Sequence, residues 1–77
     1  MKEFLLSIIR EMVDNPDRLK VEEIRQNENT ILLKVDSDKS DIGKLIGKHG
    51  NNANAIRTVC IAVAAKKRMK LMVEFPR

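Results

Sequence analysis

The sequence predicts an α+β domain in which a three-stranded sheet packs against helices, in the chain order α-β-β-α-α-β. Apolar residues recur at helical spacing in three segments, and three other short segments carry the β-branched residues or leucine typical of strands. A length of 77 residues holds one modest core, and 43% hydrophobic with 34% charged residues is typical of a globular domain. We therefore expect residues 1–77 to form a single domain.

The first predicted helix covers 2–13. Its apolar face consists of Leu5, Ile8, Ile9 and Met12. Pro16 ends the helix, because the residue before a proline, here Asn15, is disfavoured in helical geometry. Two short strands, 21–25 and 30–35, are separated by a polar segment, which predicts a hairpin.

Two helices and a last strand are predicted in the second half of the chain. An acidic segment with cap-forming side chains precedes a short helix over 39–46. A longer helix is predicted over 52–67, with Asn51 or Asn52 as its N-cap. The apolar stripe of this longer helix consists of Ile56, Val59, Cys60 and Val63. Residues 71–75 supply the last strand.

Charge is distributed unevenly along the chain. Residues 1–38 hold 6 basic and 9 acidic side chains, a net charge of −3, whereas residues 39–77 hold 9 basic and 2 acidic ones, a net charge of +7. This asymmetry indicates a polyanionic partner for the second half, either a nucleic acid or an acidic protein.

Several function classes are excluded by composition. A single cysteine and a single histidine cannot form a disulfide or complete a zinc site, and we expect Cys60 to be a small buried apolar residue. No nucleophile with an adjacent base and no P-loop ending is present, so we expect no enzyme, metal or cofactor. No apolar run approaches the roughly 20 residues of a membrane span, and the apolar start is interrupted too early for export.

All three glycines lie within ten residues, in the segment 41–50. The loop Gly47-Lys48-His49-Gly50 separates the two predicted helices, and glycines favour tight bends or close approach of another molecule. The N-terminus of the second helix would point free N–H groups at an anion, and Lys48 adds positive charge at the tip. This arrangement predicts a phosphate-binding loop, with Lys48 as a phosphate contact.

Neighbouring side chains have more than one interpretation. His49 either bonds a phosphate or ribose or caps the loop. Lys44 and Arg57 flank the loop and either extend a basic track or are ordinary surface charges. Gly43 and one isoleucine, Ile46 in our assignment, are candidates for the floor of a base-binding groove. The basic run at the end of the longer helix is explained by the helix dipole.

The segment Ile46-Gly47-Lys48-His49-Gly50, followed by Ala53 and Ala55-Ile56-Arg57-Thr58, resembles the KH signature. The element order matches the type II, or prokaryotic, arrangement of that domain. The whole chain resembles the KhpA family of small bacterial RNA-binding proteins, and the stop around Pro16 and the strand with Val73-Glu74 also fit.

The resemblance implies a cytoplasmic protein that clamps about four nucleotides of single-stranded RNA without an aromatic stacking platform. It also implies self-association and pairing with a larger KH protein of the Jag or KhpB type. Such pairs act in post-transcriptional regulation linked to cell elongation and division. Relatives often carry a basic residue directly after the loop, where this chain has Asn51.

Ile61 is the candidate centre of a dimer interface. It lies roughly 140–150° from the centre of the apolar stripe, on an outer helix face with Thr58 and Ala65. An exposed isoleucine beside small residues favours close approach of a second helix about a two-fold axis.

Two other functions remain open at this stage. The chain is alternatively a protein-interaction subunit whose loop binds RNA only weakly, or a ribosome-associated assembly factor. Single-stranded DNA is an alternative ligand, because a phosphate clamp does not by itself recognise the 2′-OH.

Overall fold

Two helices connect the second and third strands of a mixed sheet in the computed structural model, which describes residues 1–76. The helices are α1 (Lys2–Ile9), α2 (Ile42–Ile46) and α3 (Asn51–Lys66), and the strands are β1 (Lys20–Asn27), β2 (Thr30–Asp36) and β3 (Lys70–Glu74). The sheet order is β1-β2-β3, with β1 antiparallel and β3 parallel to the central strand. A parallel pair needs a crossover, which α2 and α3 provide. The predicted α+β class and element order are confirmed.

Element boundaries differ from the predicted ones most clearly at α1, α2 and β1. α2 begins at Ile42 rather than at residue 39, because Lys39–Asp41 form a 3-10 turn. α1 ends at Ile9 rather than at residue 13, because the next residues turn more tightly, with Met12 N–H bonding the Ile9 carbonyl oxygen at 3.0 Å. β1 is longer than 21–25, since its ladder with β2 runs from the pair Lys20 and Asp36 to the pair Asn27 and Thr30. The hairpin turn is therefore shorter than the polar segment that separates the two predicted strands.

One face of the sheet and the inner faces of the helices form the core. Alternate strand residues point inward, as expected for a sheet with one covered face. The buried set comprises Leu5, Ile9, Val21, Ile31, Leu33, Val35, Leu45, Ala53, Ile56, Cys60, Ala64, Leu71, Val73 and Phe75. Across residues 1–76, no helix has both the length and the apolarity that a membrane crossing demands.

The buried face of α3 is rotated relative to the prediction. Ile56 and Cys60 are buried as expected, but Val59 is 47% exposed and the other buried positions are Ala53 and Ala64. The stripe of Ala53, Ile56, Cys60 and Ala64 faces the core, so Val63 is only half-buried at its border and Val59 faces solvent. Burial raises the pKa of the Cys60 thiol, which keeps it protonated and unreactive.

Candidate nucleic-acid interface

The loop that joins α2 to α3 contains four residues, from Gly47 to Gly50. α2 ends where the Gly47 N–H donates to the Gly43 carbonyl oxygen at 2.8 Å. Lys48–Gly50 then form one 3-10 turn, in which Gly50 N–H bonds the Gly47 carbonyl oxygen at 3.2 Å. α3 begins at the next residue, Asn51. The loop is therefore a single tight turn between two helix ends.

The two loop glycines are needed for different reasons. Gly47 has φ 75° and ψ 173°, a region that is essentially restricted to glycine. A Cβ at Gly47 would lie 2.6 Å from Asn52 Cγ and 2.9 Å from the Asn52 backbone nitrogen. Gly50 has φ 76° and ψ 13°, and a Cβ there would meet only Asn54 Nδ2, at 3.9 Å. Gly47 is thus fixed by packing within the protein, whereas Gly50 is fixed by its backbone angle alone.

Lys48 and His49 form the exposed tip of the loop. His49 has left-handed backbone angles, φ 58° and ψ 23°, which turn its side chain away from the protein. Among the side-chain bonds and ion pairs of residues 1–76, none involves Lys48 or His49. The capping alternative for His49 is therefore not observed, and both side chains are available to a ligand.

The start of α3 lacks the predicted side-chain cap. Gly50 is the N-cap residue, and no side chain of the described chain bonds the N–H groups of the first turn. The predicted caps were wrong, because the chain enters α3 through the left-handed Gly50. The Asn52 side chain instead donates to the Lys44 carbonyl oxygen at 2.9 Å. Uncapped N–H groups at a helix start favour an anion in that position.

Gly43 lies one helical turn before Gly47 on the exposed side of α2. Apart from its chain neighbours and the backbone of its own helix, no atom lies within 4 Å of the position that a Gly43 Cβ would occupy. Ile46 is half-buried next to the loop. The two residues therefore form a partly apolar surface with open space above it, directly beside the exposed loop tip.

Lys44 is held by carboxylates at the start of α2. Its Nζ pairs with Asp14 and lies 4.0 Å from Asp41 Oδ1. The bond to Asp14 raises the pKa of Lys44 above its ordinary value. Lys44 therefore lies in a local charge cluster with Asp14 and Asp41.

Arg57 is directed at the sheet and not at the loop. Its Nε donates to the Val73 carbonyl oxygen at 3.1 Å, and its Nη1 donates to Asn54 Oδ1 at 3.2 Å. The guanidinium carbon lies 5.1 Å from the centroid of the Phe75 ring, within the range of a cation–π interaction. Arg57 therefore fixes α3 against the edge strand β3.

The family model described as "KhpA/KhpB, KH domain" matches residues 2–75. The chain belongs to this family. Its fold is accordingly that of a type II KH domain. We name the turn from Gly47 to Gly50 the KH loop.

Curated relatives support the same conclusion over nearly the full chain. Proteins named RNA-binding protein KhpA are 42% identical in Chlamydia trachomatis serovar D, 42% in Clostridium acetobutylicum and 34% in Aquifex aeolicus. Each alignment covers 96% of this chain and, respectively, 94%, 97% and 92% of the relative. No solved structure gives a significant match. The family is described by a KH domain and its relatives by RNA binding, not by catalysis, so the expectation of a non-enzyme is confirmed.

Asp41, which sequence reasoning missed, anchors the start of α2. Its side chain is fully buried and accepts bonds from Asp14 N at 3.1 Å, Asn15 N at 3.0 Å and Asn15 Nδ2 at 3.1 Å. Burial raises the pKa of this carboxyl, but these bonds and the nearby Lys44 cation outweigh it and hold the pKa below its ordinary value. Asp41 is therefore an ionised link between the loop after α1 and the helix that carries the KH loop.

The outer face of α3 exposes one large apolar side chain near its middle. Ile61 is 46% exposed, as predicted, and Thr58 and Ala65 are exposed beside it. Val59 is also exposed, at 47%, but it lies about 160° from Ile61 around the helix axis and so belongs to a different face. Thr58 Oγ1 donates to the Asn54 carbonyl oxygen at 2.9 Å, so its hydroxyl is satisfied within the helix.

Proposed function

We propose that this protein binds single-stranded RNA by clamping about four nucleotides at the KH loop. The observation that carries the proposal is the loop geometry: two glycines with positive φ present Lys48 and His49 beside the uncapped start of α3. The relatives are named for RNA binding, which supports RNA as the ligand class.

The positions of the side chains indicate which groups contact phosphates and which contact bases. Phosphates contact Lys48, His49 and the free N–H groups of the first turn of α3, where charge-assisted bonds are strongest. Bases lie over Gly43 and Ile46, where a missing Cβ leaves room for them. Phosphate contacts fix the position of the strand, and contacts to base edges supply any sequence preference. Lys44 and Arg57 border this surface and mainly hold its scaffold.

Fluorescence-anisotropy titration of short single-stranded RNA at several salt concentrations tests the clamp. For about three phosphate contacts, log K should fall with log salt with a slope of about −2. The double variant Lys48→Asp, His49→Asp should lose most of the affinity while its circular dichroism spectrum is unchanged.

A matched pair of single variants separates the clamp from general attraction. Lys48→Asp and Lys66→Asp change the net charge equally but lie at opposite ends of α3, about 24 Å apart for a helix of 16 residues. We expect Lys48→Asp to weaken binding at least about ten-fold and Lys66→Asp to weaken it only slightly. Equal losses would indicate non-specific attraction by the basic half of the chain.

We also propose that two copies associate through the outer face of α3, with Ile61 near the two-fold axis and Thr58 and Ala65 beside it. The exposed isoleucine on this face, beside the small residues Thr58 and Ala65, supports the proposal. Two clamps on one dimer raise the avidity for a single RNA strand, because the second binding event becomes intramolecular.

Light scattering on the variant Ile61→Asp tests the dimer. At a two-fold axis the introduced carboxylate would be buried beside the same carboxylate of the second copy. The variant should therefore be a monomer at concentrations where the parent chain is a dimer. Met72→Asp is the matched control, because Met72 is 44% exposed but lies on the sheet. A dimer that survives Ile61→Asp and dissociates with Met72→Asp would place the interface on the sheet.

In the cell we propose a cytoplasmic role in post-transcriptional regulation linked to elongation and division, with a larger KH protein of the Jag or KhpB type as partner. The family model spans both KhpA and KhpB domains, which supports such pairing. Two outcomes favour other functions: co-sedimentation with ribosomal subunits indicates an assembly factor, and absent RNA binding with tight partner association indicates a protein-interaction subunit. If single-stranded DNA competes with RNA for the protein as well as unlabelled RNA does, the ligand class includes single-stranded DNA.

A further inference from the structure

The side chain of Asn52 lies against both the KH loop and α2. Its Nδ2 donates to the Lys44 carbonyl oxygen at 2.9 Å. The carbonyl groups in the last turn of a helix have no partner within the helix, and a side chain from α3 here supplies one to α2. Asn52 therefore joins the two helices across the loop.

The loop backbone packs directly on this side chain. A Cβ on Gly47 would lie 2.6 Å from Asn52 Cγ and 2.9 Å from Asn52 Cβ, distances that leave no room for any atom between the two residues. Two constraints therefore fix the backbone at Gly47. One is the positive φ that glycine allows, and the other is the contact with the Asn52 side chain.

We infer that Asn52 is a positioning residue that holds the KH loop in its binding conformation before the ligand arrives. This inference rests on the proposed RNA clamp. α2 has only five residues, so its last turn has little stability of its own. With the two helices tied together, Lys48, His49 and the start of α3 converge without an ordering cost at binding.

The neighbouring Asn51 is a natural control. It has the same side chain, is exposed in the same first turn of α3, and takes part in no side-chain hydrogen bond found across the described residues 1–76. The same substitution at either position removes an amide near the RNA, but only the one at Asn52 breaks the link to α2. A difference in RNA affinity between the two variants therefore measures the effect of that link.

RNA titration of Asn52→Ala and Asn51→Ala is the first test. Asn52→Ala should raise Kd roughly five- to ten-fold, because the loop must be ordered on binding, whereas Asn51→Ala should change Kd less than about two-fold. The salt slope should be the same in both, since neither change removes a cation. Equal losses of affinity in Asn52→Ala and Asn51→Ala would overturn the inference, because they would trace the loss to an amide near the RNA and not to the link with α2.

Asn52→Asp and Asn51→Asp form a second pair, in which the size of the side chain and the added charge are matched. A carboxylate cannot donate to the Lys44 carbonyl oxygen, so only the change at Asn52 should weaken binding beyond the shared effect of charge. This pair keeps the test valid if Asn52→Ala proves poorly folded.

NMR order parameters of the backbone amides from Gly47 to Gly50, measured without RNA, test the loop independently. They should fall from about 0.85 toward 0.6 in Asn52→Ala and stay unchanged in Asn51→Ala. A rigid loop with unchanged affinity in Asn52→Ala overturns the inference. If the parent chain binds no RNA, the proposed function fails, and the order parameters still decide whether Asn52 holds the loop.

Discussion

Replacing Gly47 with alanine is expected to lower the free energy of unfolding by roughly 2–4 kcal/mol and to remove most RNA binding. Gly47 occupies backbone angles that are essentially closed to other residues, and its new methyl group would overlap Asn52. A loss of this size is a large part of the stability of a small domain. Urea unfolding measures the stability, and anisotropy titration measures the affinity.

Gly50→Asn is the control for this prediction. Gly50 is left-handed, a conformation that asparagine tolerates, and a Cβ there meets nothing closer than 3.9 Å. We expect it to cost less than about 1 kcal/mol. Equal destabilisation by the two changes would show that packing against Asn52 does not distinguish the glycines.

Asp41→Asn is expected to lower Tm at neutral pH by roughly 10 °C, although Asp41 lies outside the loop itself. Its carboxylate accepts the N–H groups of Asp14 and Asn15, and an amide at this buried position turns an N–H donor toward at least one of these donors. Thermal unfolding followed by circular dichroism gives the comparison.

The same pair of proteins makes a prediction about pH. The folded-state pKa of Asp41 lies below its ordinary value, so its contribution is complete above the unfolded pKa of about 3.9 and is lost as pH falls through the folded pKa. The Tm difference between parent and Asp41→Asn should therefore be constant above about pH 5 and shrink below about pH 4. A difference independent of pH would mean that Asp41 is not ionised.

Asp38→Asn is the matched control for both measurements. The Asp38 pKa is also lowered, by bonds from the Ser40 hydroxyl and N–H, but its carboxylate is only half-buried. Water replaces lost bonds at such a site, so we expect a much smaller change in Tm.

Local patterns were sufficient to predict the element order and the tight turn between α2 and α3. Helical spacing and the run of glycines each act on residues close in sequence, and the fold keeps the elements that they specify. The exposure of Ile61 followed from the same reasoning, because the angle between residues of one helix is independent of the rest of the protein.

Features that depend on contacts between distant segments were not predictable. Asp41 bonds to residues 26 and 27 positions away, and nothing beside it in the sequence marks it as buried. Asn52 is a residue type common at helix N-caps, but its side chain instead donates a hydrogen bond to the Lys44 carbonyl oxygen in α2. The inward face of α3 was misjudged at Val59 because size was given more weight than the small residues that allow close packing.

Arg57 has a consequence for solubility. β3 is an open edge of the sheet, and unpaired main-chain groups on such an edge recruit strands from other molecules. The guanidinium covers the Val73 carbonyl oxygen and rests on Phe75, which places a bulky cation where an incoming strand would pair. Removing this side chain leaves the edge strand free to pair with other molecules and to aggregate. An Arg57 variant that fails to bind RNA must therefore first be shown to remain soluble and unaggregated.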